Sequence, residues 1–150
     1  MPTHCKACEN TDSATKTLTD RGVRLTVLRR DVLQELHHAK QPLGAYDLFD
    51  NLKSAGKASA PPAVYRVLDF LVEQGLAHKL RSLSAYAACC LGPHAHQAIF
   101  LICRSCGTVN ECDIAAPKSL TDTAKSTGFR IEDITIEAMG TCRSCTEAPN

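Results

Sequence analysis

The sequence lacks the features of a membrane or secreted protein. No run of apolar residues approaches the roughly 20 residues that a transmembrane helix needs. The stretch Met1–Cys5 contains no apolar core of the kind that signal peptides have. We therefore expect a cytoplasmic protein with no membrane partner.

A strong net charge of either sign is also missing. The formal charge is +1, so the overall electrostatic potential does not indicate binding to nucleic acid or to a membrane. The charge is nevertheless unevenly distributed: residues 1–92 contain 12 Lys+Arg and 9 Asp+Glu (net +3), and residues 93–150 contain 5 and 7 (net −2). This asymmetry mildly favours an N-terminal half that faces DNA.

Cysteine, in contrast, is abundant. Nine cysteines without a secretion signal fit metal thiolates in a reducing compartment better than a disulfide framework. Two matching turns, Cys103-Arg104-Ser105-Cys106 and Cys142-Arg143-Ser144-Cys145, can each direct two sulfurs at one tetrahedral zinc, about 2.3 Å away. We predict a structural zinc, closed to other ligands, that attaches the C-terminal end of the chain to a folded domain.

Hydrophobic periodicity indicates three helices and a hairpin before residue 91. Thr26 suits the N-cap of the first helix, Pro61-Pro62 suits the first turn of the third, and Gly75 suits its C-terminal end. The apolar stripes are Leu28, Val32, Leu33 and Leu36, then Ala45, Leu48, Phe49 and Leu52, then Val64, Val67, Leu68, Leu71 and Val72. A hairpin over Leu76–Arg81 and Ala85–Cys90 follows, so the pattern is typical of a winged helix-turn-helix.

The expected fold class is α+β in two domains. We predict a flexible lead-in over 1–17, the winged-helix domain over 18–90, a linker over 91–97, and a small α+β domain over 98–150 that carries the structural zinc. Its predicted elements are strands at Ala98–Ile102, Thr108–Ile114 and Phe129–Ala138, and a helix over about Ala116–Ser126. A unit this small has a thin core, so we expect it to dimerise through its sheet.

Three exposed positions are candidates for DNA contact. Arg66 lies near the start of the third helix, away from its apolar stripe, where an arginine can bond guanine bidentately. Tyr65 shares that face, and Tyr46 begins the preceding helix. Arg24, Arg29, Lys79 and Arg81 could contact phosphates. Each of these side chains is equally compatible with an ordinary surface role.

A second metal site is indicated around the hairpin and the linker. If the hairpin turns symmetrically about Leu83-Ser84, His78 stands opposite Cys89. A three-residue turn would place Cys90 opposite His78 instead. His96 in the linker and Glu111 after the first cysteine pair could complete a four-coordinate set; the alternatives in these regions are His94 and Asp113. Cys90 and Cys112 are more typical of small core residues, and Cys5 and Cys8 could form a further metal site in the lead-in.

Taken together, these residues resemble the ferric uptake regulator superfamily and, within it, the zinc uptake regulator branch. The resemblance spans about Leu18–Glu147. It rests on Gly22-Val23-Arg24-Leu25-Thr26, Ala45-Tyr46-Asp47-Leu48, Pro61-Pro62-Ala63-Val64-Tyr65-Arg66-Val67-Leu68 and the paired cysteine turns. It implies a structural zinc at Cys103, Cys106, Cys142 and Cys145, a regulatory zinc at His78, Cys89, His96 and Glu111, and base contacts from Tyr46 and Arg66.

The resemblance further implies a bacterial, zinc-responsive repressor of zinc-uptake genes rather than an enzyme. Such a protein binds two Zn²⁺ per subunit and reads palindromic double-stranded operator DNA as a homodimer, with one or two dimers per operator. Thiolate and imidazole ligands in a four-coordinate site favour zinc over octahedral iron or manganese. Two rival hypotheses are a thiol oxidoreductase that uses Cys-x-x-Cys, and a DNA-binding redox switch whose thiols release zinc on oxidation.

Overall fold

A computed structural model describes residues 11–90 and 97–147 of the chain. These residues form two compact units, one within 11–90 and the other within 97–147. Within these two ranges, no helix is long and apolar enough to cross a membrane.

The first unit consists of four helices and a hairpin. The helices are α1 (Thr11–Asp20), α2 (Val27–His38), α3 (Ala45–Ser54) and α4 (Pro61–Glu73), and the strands are β1 (Ala77–Leu80) and β2 (Ala85–Ala88). Helix α2 begins where the sequence predicts, because Thr26 Oγ1 accepts a hydrogen bond from the Arg29 amide at 3.4 Å. Helices α2, α3 and α4 with the hairpin confirm the winged helix-turn-helix.

The core of this unit is built from the predicted apolar stripes. Val32 and Leu33 of α2, Leu48 of α3 and Leu68 of α4 are all fully buried. Burial of one such aliphatic side chain stabilises the fold by about 1.5–3 kcal/mol. Val72 is the exception in its stripe: it is 37% exposed, so the inner face of α4 ends at Leu71.

Glycine is required at the end of α4. Gly75 has φ of 71°, a left-handed conformation that L side chains rarely adopt. It lets the chain reverse so that the Leu76 amide reaches back to the Leu71 carbonyl at 2.8 Å. The chain then enters β1 directly, which fixes the hairpin next to α4.

Helix α1 is a difference from the sequence prediction. Residues 11–17 were expected within an unstructured lead-in, but they are helical. Leu18 is fully buried in the core, and its carbonyl accepts a hydrogen bond from the Val23 amide at 2.9 Å. A single buried leucine in a polar helix gives no apolar periodicity, so the sequence pattern does not reveal this helix.

The hairpin register also differs from both predicted alternatives. His78 pairs with Ala87, and not with Cys89 or Cys90. The loop between the strands has four residues, Arg81–Ser84, and Ser84 occupies the left-handed region with φ of 49°. Because Cys89 is two residues beyond Ala87, it still lies on the same face of the hairpin as His78, as a diagonal neighbour.

The second unit is a three-stranded sheet with two helices. Its elements are β3 (Ala98–Cys103), β4 (Val109–Cys112), α5 (Lys118–Ser126), β5 (Thr135–Gly140) and the single turn α6 (Arg143–Thr146). The strand order is β4-β3-β5, with β4 antiparallel and β5 parallel to β3. The third strand begins at Thr135, later than the predicted residue 129. Thr135 pairs with Ala98, the first residue of β3, so a strand that began at residue 129 would run past the end of β3.

Candidate metal centres and nucleic-acid interface

The sheet of the second unit brings the two cysteine turns together. Parallel pairing places Cys103, at the end of β3, beside Gly140, at the end of β5. The Arg104 amide continues this pairing with a hydrogen bond to the Gly140 carbonyl at 2.9 Å. Cys142 follows two residues later, so both turns begin at the same end of the sheet. Cysteines that are about 40 positions apart in sequence therefore become neighbours.

The four sulfurs form a cluster of the right size for zinc. The sulfur atoms of Cys103, Cys106, Cys142 and Cys145 all lie within 4.8 Å of one another. The Cys106 and Cys142 sulfurs are 3.7 Å apart, and four sulfurs at 2.3 Å from a tetrahedral zinc are separated by about 3.8 Å. A disulfide would instead need an S–S distance of about 2.05 Å. The donor set and its spacing therefore fit a four-thiolate metal site that leaves no position open for a substrate.

Hydrogen bonds make the four thiols unequal. The Cys142 amide donates to the Cys103 sulfur at 3.3 Å, and this bond, followed by that from the Cys106 amide, lowers the pKa of Cys103 to about 6. The Thr108 hydroxyl lowers the pKa of Cys106. Bonds shared with the Cys142 and Cys106 thiols raise the pKa of Cys145 to about 12. The hydrogen bonds around the cluster thus favour ionisation of the Cys103 thiol and disfavour that of the Cys145 thiol.

The structure brings two of the four predicted regulatory ligands together. His78 on β1 is half-buried and Cys89 after β2 is buried, and their ligand atoms lie within 4.8 Å of each other. Glu111 lies on β4 of the second unit, where it pairs with Phe100. His96 and its alternative, His94, lie outside the described residues.

Two cysteines near these ligands differ from expectation. Cys90 is half-buried, so it is not the small core residue that the sequence suggested. Cys112 on β4 is free but only half-buried. Cys5 and Cys8, which were considered for a further metal site, lie outside the described residues.

The candidate DNA-contacting side chains lie at the starts of two successive helices. Tyr46 is the second residue of α3 and is 67% exposed. Tyr65, which is 40% exposed, and the exposed Arg66 lie in the first half of α4. In a helix-turn-helix, the N-terminal residues of the second helix face the base edges. Tyr65 and Arg66 therefore lie in the half of α4 that such motifs turn towards DNA, and all three side chains are exposed.

Arg29 has a role that the sequence did not indicate. It was considered as a phosphate contact, but its guanidinium lies over the Phe70 ring, 3.5 Å from the centroid, and donates to the Arg24 carbonyl at 2.9 Å. The side chain thus joins α2 to α4. Residues so far apart in sequence give no local pattern that could predict this contact.

Comparisons with known proteins agree with this architecture. The zinc uptake regulation protein of Escherichia coli (strain K12) is 39% identical over 136 residues, which cover 89% of this chain and 80% of that protein. The solved structure of a zinc uptake regulator complexed with zinc and DNA has a TM-score of 0.81 and 36% identity, covering 95% of this chain and 96% of that chain. Holo XcZur has a TM-score of 0.78 and 40% identity, covering 87% and 92%.

The family assignment rests on a match that runs through both units. A model of the ferric uptake regulator family matches residues 20–139, from the end of α1 to the penultimate residue of β5. This range includes the winged helix, the hairpin with His78 and Cys89, and the first cysteine turn. The chain belongs to the ferric uptake regulator family.

Proposed function

We propose that the chain is a zinc-responsive transcriptional repressor of zinc-uptake genes that binds DNA through its winged-helix unit. The observation that carries this proposal is the likeness, at a TM-score of 0.81 over 95% of the chain, to a zinc uptake regulator complexed with zinc and DNA. Members of the family are transcription regulators, so the chain is not an enzyme and the oxidoreductase hypothesis is set aside.

The first zinc would be held by the four cysteines of the second unit and would be structural. The sulfur spacing and the all-thiolate donor set support zinc at this position. The metal would link the end of β3 to the turn after β5, and its binding free energy would add to the stability of the sheet. Because four protein ligands fill a tetrahedral zinc, this site would not respond to an effector.

The second zinc would be regulatory, and its ligands would be His78, Cys89, His96 and Glu111. The proximity of His78 and Cys89 on one hairpin face supports this set. One thiolate and one carboxylate neutralise the charge of Zn²⁺, so the metal can bind without burying a net charge. Because the ligands come from both sides of the linker, zinc would couple the two units. This gives two zinc ions per subunit.

Zinc would act by shifting the equilibrium between conformations of the protein towards the one that binds DNA. It can favour the DNA-binding arrangement only to the extent that it binds that arrangement more tightly. In that arrangement, Arg66 would bond a guanine in the major groove, with Tyr46 and Tyr65 contacting neighbouring bases or backbone. Such a repressor would act in the bacterial cytoplasm, where its operator lies.

We further propose that the repressor is a homodimer formed through the second unit. Large apolar side chains of this unit are exposed, among them Leu101 (51%), Ile114 (59%) and Phe129 (70%). Burial against a second copy would remove this surface from water. A two-fold dimer presents two recognition helices, which suits a palindromic operator with half-sites about one helical turn apart. One or two such dimers would occupy each operator.

A zinc-buffered DNA-binding titration on palindromic operator candidates, with metal content measured in parallel, tests the proposal. We expect operator affinity to rise as the second zinc per subunit is bound. Cys89→Ser should remain a folded dimer with one zinc and lose the zinc response. Cys112→Ser is the matched control, because Cys112 is free and belongs to neither proposed ligand set. Operator affinity that does not change with free zinc would contradict a zinc corepressor.

A further inference from the structure

Thr108 forms hydrogen bonds to both cysteines of the first turn. Its hydroxyl oxygen lies 3.1 Å from the Cys106 sulfur, and its carbonyl accepts a hydrogen bond from the Cys103 amide at 2.9 Å. Gly107, with φ of 73° and an amide bonded to the Cys103 carbonyl at 3.0 Å, reverses the chain between them. The same tight turn that aligns the two sulfurs therefore directs the threonine hydroxyl at one of them.

The direction of this hydrogen bond changes when a metal binds. A thiol can donate to a hydroxyl, but a thiolate has no proton and can only accept. With zinc bound, the Thr108 hydroxyl must therefore be the donor. Four thiolates on one Zn²⁺ carry a net charge of −2, and each hydrogen bond to a sulfur disperses part of that excess charge.

In the second turn, the threonine bonds to the backbone instead of to a sulfur. Thr146 follows Cys145 directly, but its hydroxyl donates to the Cys142 carbonyl at 3.0 Å. The same carbonyl, at the N-cap of the short helix α6, also accepts the Cys145 and Thr146 amides. The chain thus has two threonines beside the same cluster, one bonded to a sulfur and the other to the backbone.

We propose that Thr108 is a positioning residue of the structural metal site: its hydroxyl donates to the Cys106 thiolate and slows the loss of zinc. This inference rests on the structural zinc of the proposed function. It predicts that the sulfur-bonded hydroxyl matters for metal retention and that the backbone-bonded hydroxyl of Thr146 does not.

The test is the rate of zinc transfer from the full-length, reduced protein to a chromophoric chelator, in a Cys89→Ser background that leaves only the structural zinc. Thr108→Val keeps the shape of the side chain without the hydroxyl and should release zinc about 10–100-fold faster, the usual effect of removing a partner of a metal ligand. Thr108→Ser and Thr146→Val should release it at nearly the parental rate. Release from Thr108→Val at the parental rate, or equally fast release from Thr108→Ser, would overturn the proposal.

A spectroscopic measurement separates this role from a general loss of stability. In the cobalt(II)-substituted protein, removal of a donor from a thiolate should move the sulfur-to-metal charge-transfer band to lower energy in Thr108→Val but not in Thr146→Val. If the energy of the band is unchanged in Thr108→Val, the proposed hydrogen bond is contradicted. Thr108→Ala serves for the same test if the valine variant does not fold. If Cys103→Ser retains all the zinc of the parent, the structural zinc itself is wrong, and not merely the role of Thr108.

Discussion

Replacement of Arg29 by methionine tests whether this side chain stabilises the fold or contacts DNA. Its guanidinium stacks on Phe70 of α4 and donates to the Arg24 carbonyl, which connects the start of α2 to the recognition helix. Methionine retains an unbranched apolar stem and removes the charge, the stacking and the hydrogen bond. We therefore expect Arg29→Met to destabilise the winged-helix unit.

The size of the effect follows from the two interactions. A cation–π contact contributes about 0.5–1 kcal/mol when exposed and about 2 kcal/mol when desolvated, so the half-buried pair Arg29 and Phe70 should contribute about 1 kcal/mol. A hydrogen bond from a charged donor contributes about 1.5–3 kcal/mol, and the exposure of Arg24 reduces this to about 1 kcal/mol. The sum, about 2 kcal/mol, corresponds to a fall in Tm of about 8–16 °C for a unit of this size.

Thermal unfolding and the salt dependence of operator binding together decide the question. Arg29→Met should lower the Tm and leave the slope of log affinity against log salt unchanged. Arg30→Met is the control for stability, since Arg30 is exposed, and it should change the free energy of unfolding by no more than about 0.5 kcal/mol. An unchanged Tm in Arg29→Met, with the salt slope reduced by about 0.9, would refute the structural role and make Arg29 a phosphate contact.

Three further changes test other parts of the molecule. Arg66→Ala should weaken operator binding by about 1–3 kcal/mol and relax base preference, whereas an equal loss on random DNA would make Arg66 a phosphate contact only. Cys103→Ser should remove one zinc per subunit and lower the Tm. If the metal content and the Tm were both unchanged, a structural role for Cys103 would be excluded. Burial, and secondarily the charge of His38, lower the pKa of His37 below 6.5. As the pH falls, His37 is therefore protonated in the unfolded state before it is protonated in the folded state. The free energy of unfolding should thus decrease as the pH drops below 6.5. His37→Gln should flatten that fall, and identical pH profiles of unfolding would contradict it.

The sequence predicted the elements whose residues share one buried face. Helices α2, α3 and α4 have regular apolar stripes, and an N-cap threonine or a C-terminal glycine bounds two of them. Helix α1 has no such stripe, and the leucine that anchors it is Leu18. The start of β5 depends on where its partner β3 begins, which a strand's own residues do not encode. Local periodicity therefore predicts helices well and long-range strand limits poorly.

The hairpin shows why a wrong register still brought His78 and Cys89 together. The loop has four residues and relies on a left-handed Ser84, which no glycine or asparagine marks in the sequence. The predicted pairing of His78 with Cys89 is therefore two residues away from the observed pairing with Ala87. A shift of two preserves the side-chain face, whereas a shift of one would have placed Cys90 beside His78. The pairing argument alone left this parity open between Cys89 and Cys90, and it was the family resemblance that favoured Cys89.

The two proposed ligand sets differ most in charge, and this difference accounts for their separate roles. The regulatory set would be neutral with Zn²⁺ bound, so the protein would need no extra donors there to offset a net charge. The four-thiolate set would keep a charge of −2, which the Cys142 amide and, with metal bound, the Thr108 hydroxyl would offset as donors. These donors are in place only when the turns after β3 and β5 are formed. Retention of the structural metal would therefore be coupled to the fold of the second unit, while the neutral set would follow the zinc supply.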